Sequence, residues 1–107
     1  MSKFFFVVWM RQSLQYSLKP YYTMLEINRM LRIHGWAYVE VPDASNVGVP
    51  LGTLDKNTYE RIFKASGFEI IQSDVIELSV GNITEKYNLF ALVKRLNINL
   101  PELPEED

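Results

Sequence analysis

Three stretches of this chain place reactive side chains where an apolar segment hands over to a loop. Arg11, Gln12, Ser13, Gln15 and Tyr16 follow directly on an apolar run, Glu40 stands between Val39 and Val41, and Asp43 follows Pro42. Amides, hydroxyls and carboxylates grouped in this way can hold a small polar substrate, orient its nucleophile and take up its proton. Glu40 is costly if buried alone, so it calls for water or a cation, with Arg11 and Lys19 as candidates.

Residue types exclude several other chemistries. There is no Cys, hence no disulfide framework and no thiolate, and the lone His34 cannot build a histidine-rich metal site. Eleven Lys and Arg stand against thirteen Asp and Glu, and Glu102, Glu105, Glu106 and Asp107 crowd the last six positions. No element gathers the basic cluster that phosphate neutralisation needs, so no nucleic-acid partner is expected. No apolar stretch approaches the roughly 20 residues of a membrane span, so no membrane association is expected. The opening "MSKFFFVVWM" is followed by Arg11-Gln12 where a signal peptide would carry small residues, so it reads as a strand and a cytoplasmic location is expected.

The elements that must position these groups follow from periodicity. "KFFFVVWM" (Lys3 to Met10) is a continuous apolar run, the pattern of a strand covered on both faces. Arg11 to Lys19 is a polar loop at its carboxyl end. Pro20 suits a first helical turn, and Tyr21, Met24, Leu25, Ile27 and Leu31 recur at helical spacing, which predicts a helix from Pro20 to Ile33. Gly35 fits the left-handed position that closes it, and His34 can interact with its last carbonyls. "WAYVEVP" (Trp36 to Pro42) is a strand stopped by proline, so the first two strands should be parallel across a helical crossover.

The loop Asp43 to Leu54 is longer than most connections. A second helix spans Asp55 to Gly67, capped by Asp55 or Asn57 and closed by Gly67. "FEIIQSDVIELSV" and "KYNLFALVKRL" flank "GNITE" and predict an antiparallel hairpin. The order β-α-β-α-β-β gives an α/β domain with a mixed four-stranded sheet over residues 1–95. Residues 96–107, acidic and proline-containing, form a loosely attached tail.

In this order the chain resembles the C-terminal half of a class I, Rossmann-like, S-adenosylmethionine-dependent methyltransferase, over about Phe5 to Lys94. "SLQYS" (Ser13 to Ser17) looks like the polar loop, often Ser-Leu-Glu-His, that follows the family's fourth strand. "LEINRML" (Leu25 to Leu31), "RIHG" (Arg32 to Gly35) and "YVEVP" (Tyr38 to Pro42) resemble its next helix, its Lys-Pro-Gly-Gly turn and its fifth strand. "YERIFKASGFEII" and "YNLFALVKR" look like its last helix, sixth strand and antiparallel seventh strand.

The resemblance implies S-adenosylmethionine as cofactor and a substrate site over Arg11, Gln12, Ser13, Gln15, Tyr16, Glu40 and Asp43, with Trp9 and Met10 toward the cofactor. Tyr16 or Gln15 would orient a substrate hydroxyl or amine. The family's Gly-rich turn and ribose-binding acid have no counterpart among Gly35, Gly48, Gly52, Gly67 and Gly81. A truncated methyltransferase, inactive alone, is therefore expected. The alternative is a non-catalytic interaction module that self-associates or pairs with another chain through the Phe4 to Trp9 strand, which loses one neighbour and becomes an apolar edge.

Overall fold

The computed structural model describes residues 5–50 and 52–98, without the side chain of Phe5. The elements run β1 (Phe5–Arg11), a 3₁₀ turn (Leu14–Tyr16), α1 (Pro20–Met30), β2 (Leu31–Pro42), α2 (Lys56–Ala65), β3 (Phe68–Val80) and β4 (Ile83–Lys94). The expected strand start at Lys3 and Phe4, and the tail beyond Ile98, lie outside the described residues.

The sheet order is β1-β2-β4-β3. β1 and β2 are parallel, from Val7↔Trp36 to Arg11↔Glu40, with α1 as the crossover between them. β4 pairs antiparallel with β2 and with β3. This is the mixed α/β sheet that the element order predicts.

Alternation along the strands builds the core. Ala37, Val39 and Val41 of β2, Phe90 and Leu92 of β4 and Phe68 of β3 turn one face toward α1 and α2, which contribute Met24, Ile27, Tyr59 and Phe63. Phe63 packs edge-on against Phe90, with centroids 4.9 Å apart. Each such buried side chain contributes on the order of 2 kcal/mol. Both helices lie on this face. The opposite face, bearing Trp9, Tyr38, Leu89 and Ala91, has no helix over it among the described residues.

The expectation of a first strand covered on both faces is therefore corrected. β1 is an edge strand among the described residues, and Phe6 and Trp9 are 64% and 68% exposed. The continuous apolar run marks a strand whose chemistry suits burial while its position leaves one edge and one face open.

The first helix also ends earlier than predicted. α1 stops at Met30, because Lys94, fully buried at the end of β4, donates its ammonium to the carbonyls of Asn28 and Leu31 and so satisfies the helix end from outside. Leu31 pairs with Phe5 and Trp36 with Val7, so Arg32 to Gly35 bulge out of the β1–β2 ladder. The left-handed residue is His34, at φ 68°, and not Gly35. Gly35 serves a close approach: a Cβ there would lie 2.8 Å from the Arg32 carbonyl oxygen and 3.0 Å from that of Phe6.

The second helix matches its signals. Asp55 accepts from the Thr58 amide at 3.0 Å as N-cap, and Gly67 leaves the helix at φ 91°. The hairpin turn is tighter than expected: Val80 pairs with Ile83, and Gly81 at φ 61° takes the strained first turn position. Ile83 to Glu85 are thus strand, extending β4 beyond the predicted Lys86. Among the described residues no helix is long and apolar enough to cross a membrane.

Candidate functional site

The parallel pair β1–β2 carries the site, because its carboxyl ends release the two loops that hold the polar residues. At the end of β1 the chain turns sharply: Gln12 adopts φ 53°, a left-handed conformation that costs a non-glycine residue roughly 1 kcal/mol. Two contacts with β2 hold it there. The Gln12 amide donates to the Glu40 carbonyl at 2.7 Å, and Gln12 Nε2 donates to Glu40 Oε2 at 2.6 Å.

Arg11 Nε lies 3.5 Å from the other oxygen, Glu40 Oε1. Of the two cations expected to meet Glu40, Arg11 is the one that does. The Glu40 side chain is 19% exposed and that of Arg11 76%, so the pair sits at the boundary with water. A carboxylate engaged by an amide and a guanidinium is a firm anchor, and Glu40 holds the loop after β1 against β2.

Beyond Gln12, buried Leu14 pins the 3₁₀ turn to the core, and its neighbours take opposite fates. Ser13 and Tyr16 are exposed, and Tyr16 presents its phenol to solvent. Gln15 is 3% exposed, and its Oε1 has no hydrogen-bond partner among the described residues.

Asp43 heads the loop after β2 and organises a separate cluster. Its Oδ2 accepts from the Ser45 amide at 3.0 Å and from the Ser45 hydroxyl, and its Oδ1 accepts from Asn88 Nδ2 at 3.1 Å. The Ser45 hydrogen bonds, aided by Asn88 and Lys86, hold the Asp43 carboxyl below its ordinary value. Asn46 exchanges two hydrogen bonds with the Lys86 backbone, at 2.8 and 2.9 Å, so the start of the long loop is sewn to β4. Asn88 is 1% exposed, and its Oδ1 is without a partner among the described residues.

The candidate residues therefore divide. Arg11, Gln12 and Glu40 are joined directly, Ser13, Gln15 and Tyr16 follow on the same loop, and Asp43 is occupied by Ser45 and Asn88. Trp9 and Met10 are consecutive in β1 and so point to opposite faces. Met10 packs against the core, while Trp9 stacks on Tyr38 with centroids 4.5 Å apart on the helix-free face.

Both carboxylate oxygens of Asp43 accept hydrogen bonds from within the chain. Gly48, at φ 78°, lies in the long loop, where a Cβ would meet nothing within 4 Å among the described residues. Among the described residues, no three His, Cys, Asp or Glu side chains gather to hold a metal ion.

The helix-free face brings the expected Trp9, Arg11 and Glu40 together with Tyr38, Gln72, Asp74, Leu89 and Ala91, which sequence reasoning missed, around a trough of about 370 Å³. Trp36 also stacks on Tyr38, at 5.8 Å. The signal was the alternation Trp36, Tyr38, Glu40 in β2, opposite in phase to Ala37, Val39 and Val41.

No protein-family profile matches the chain, and no curated protein matches its sequence. Solved structures do. The [4+2]-cyclase SpnF is similar over 84% of this chain and 49% of its own, with a TM-score of 0.64 and 16% identity. A Haloferax volcanii complex between the Trm112 methyltransferase activator and a protein described as a methyltransferase contains a chain similar over 88% of this chain and 55% of its own, with a TM-score of 0.70 and 18% identity. The chain thus spans about half the length of these structures. At such identities the likeness is one of fold, and the fold is that of a partial, Rossmann-like, methyltransferase-type α/β domain.

Proposed function

We propose that this chain is the C-terminal, substrate-side half of an S-adenosylmethionine-dependent methyltransferase domain, truncated with respect to the cofactor-binding half and inactive on its own. The observation that carries the reading is the rim at the carboxyl end of β1 and β2, where Gln12 is strained into place by Glu40. Such effort at a strand end is characteristic of sites that position a ligand. Tyr16, exposed on the adjoining turn, would orient the methyl acceptor, with Ser13 and Gln15 beside it. The cofactor's other wall would come from outside these residues.

Calorimetric titration of the 107-residue chain with S-adenosylmethionine tests this directly. No saturable heat is expected up to about 1 mM, the weak end of ordinary ligand affinities. A micromolar dissociation constant would show that the chain binds the cofactor alone and would sink the truncation reading.

A second reading rests on the open edge of β1. Its unpaired backbone groups, with Phe6, Val7 and Trp9 exposed, form the kind of strand that pairs with another chain. The chain would then be a non-catalytic module that self-associates or takes a partner there. The Haloferax volcanii structure, in which a chain of similar fold belongs to a complex, agrees with it. Light scattering at tens of micromolar, where exposed apolar edges associate, should give more than the monomer mass, and Val7→Lys should restore the monomer. A monomer at all concentrations would remove the self-association arm.

A further inference from the structure

β3 is the second edge of the sheet, at the opposite end from β1 in the order β1-β2-β4-β3, and its outer side carries no strand among the described residues. We propose that two copies of this chain pair antiparallel along β3, about a two-fold axis at Ile76, so that two four-stranded sheets become one. The inference holds whether or not a cofactor-binding half completes the domain beside β1. It sets the joint between copies at β3, against the self-association arm of the second reading, which sets it at β1.

The β3–β4 hairpin itself calls for a third strand. β2 flanks β4 only as far as Pro42, which pairs with Tyr87, and Tyr87 pairs in turn with Ile76. Asp43 and Asn46 reach one row further, to the backbone of Lys86. Beyond that row Leu78, Ser79 and Val80 pair with Glu85, Thr84 and Ile83 as a two-stranded arm, and Leu78, Val80 and Ile83 are exposed. Two strands alone are only marginally stable in water. An axis at Ile76 sets Leu78, Ser79 and Val80 of each copy against Asp74, Ser73 and Gln72 of the other. The supported half of each β3 then backs the bare arm of its mate.

Register and charge select the occupant and the axis. The β3–β4 register slips between Ile70 and Gln72, so the unbroken ladder of β3 runs from Gln72 to Val80, and Ile76 is its centre. That stretch holds no Lys and no Pro, the residues that ordinarily blunt an edge strand. A two-fold axis sets the residue it passes through opposite itself, so axes at Asp74 or Glu77 would oppose like carboxylates, which destabilises a strand pair. An axis at Val75 would set Val80 against the irregular Ile70. At Ile76 no acid faces an acid: Ile76 meets Ile76, Asp74 meets Leu78, and Val75 meets Glu77, whose carboxylate already has Lys86 Nζ at 3.7 Å. The chain's own residues 99–107 are the wrong strand, since Pro101 and Pro104 lack donors and the four acids there would face Asp74 and Glu77.

The test uses the full chain, whose lack of cysteine makes a single introduced thiol an unambiguous probe. Light scattering should give twice the chain mass at tens of micromolar, where exposed edges associate. Ile76→Lys, at an exposed position, sets two ammoniums together on the axis and should weaken the dimer about tenfold. Val7→Lys, on β1, should leave the dimer intact. Ile76→Cys should be cross-linked to a dimer by a short bismaleimide, since directly opposed strand residues lie about 5 Å apart. Glu26→Cys, on the solvent face of α1, should not be. The cross-link carries the test if Ile76→Lys fails to fold. The proposal is overturned if the parent chain is a monomer throughout, if Val7→Lys dissociates the dimer, or if Ile76→Cys cross-links no faster than Glu26→Cys. None of these outcomes depends on S-adenosylmethionine, so failure here and failure of the methyltransferase reading are read separately.

Discussion

Glu40 and Gln12 are joined twice across the parallel strands, once through the backbone at 2.7 Å and once through their side chains at 2.6 Å. The two bonds together hold Gln12 at its positive φ, so the two residues should act as a unit. Glu40→Ala is expected to lower stability by about 1 kcal/mol, the scale of one partly exposed charged hydrogen bond, with little from exposed Arg11. Gln12→Gly relieves the backbone while losing the same bond, so it should cost less than Glu40→Ala. Urea denaturation of both variants and the double variant tests this. Additive losses would mean that the two residues are not coupled.

Lys94 and Asn28 form the other polar anchor, and this one is fully buried. Lys94 donates to the carbonyls of Asn28 and Leu31, while Asn28 Nδ2 donates to the carbonyls of Ser66 and Leu96 at 2.9 and 2.8 Å. The ends of α1, α2 and β4 meet there. Lys94→Met keeps the volume but strands buried carbonyls, so a loss of about 3 kcal/mol is expected, clearly larger than that of Glu40→Ala. Hydrogen exchange should show the last turn of α1 opening first. A variant as stable as the parent would mean that water replaces the ammonium.

Much of the fold was legible because its signals are local. Pro20, Asp55 and Gly67 mark helix ends through their own backbone chemistry, and all three do so here. The end of α1 was not legible, since it is set by Lys94, more than sixty positions away, and no local signal separates Leu31 the helix residue from Leu31 the strand residue. The apolar run of β1 announced burial, yet exposure depends on which strands are present beside it. At the site, the pairing of Glu40 with Arg11 followed from the cost of a lone acid between valines. The trough did not, because Asp74 and Tyr38 come together only through the register of β3 and β2 on β4.

Gly35 and Gly48 give opposite tests of glycine. At Gly35 the obstacle is space, since a Cβ would meet two carbonyl oxygens at 2.8 and 3.0 Å, both of them backbone. At Gly48 the obstacle is conformation alone, with φ 78° and nothing within 4 Å. Gly35→Ala should therefore cost about 2 to 3 kcal/mol as overpacking and disturb the β1–β2 ladder. Gly48→Ala should cost about 1 kcal/mol and leave the sheet unchanged. Thermal unfolding with amide chemical shifts for β1 distinguishes them, and equal costs would mean that the bulge at Arg32 to Gly35 yields easily.

Asp43 gives the chain a pH dependence whose sign can be worked out. Its folded carboxyl is held below the ordinary value of 3.8 by the Ser45 hydroxyl and amide, and then by Asn88 and Lys86. A depressed folded value means that the unfolded chain binds the proton more readily. The stabilisation is therefore complete above the unfolded value and is lost as pH falls through it toward the folded one. Asp43→Asn, which cannot titrate, should be less stable than the parent at pH 7 by about 1 kcal/mol, the usual worth of a hydrogen bond to a charged group near solvent. The difference should shrink as pH falls below about 4, and Ser45→Ala should reproduce both the loss and its pH dependence. A gap that stays constant from pH 7 to pH 2.5 would assign the effect to the loop's geometry and not to the charge of Asp43.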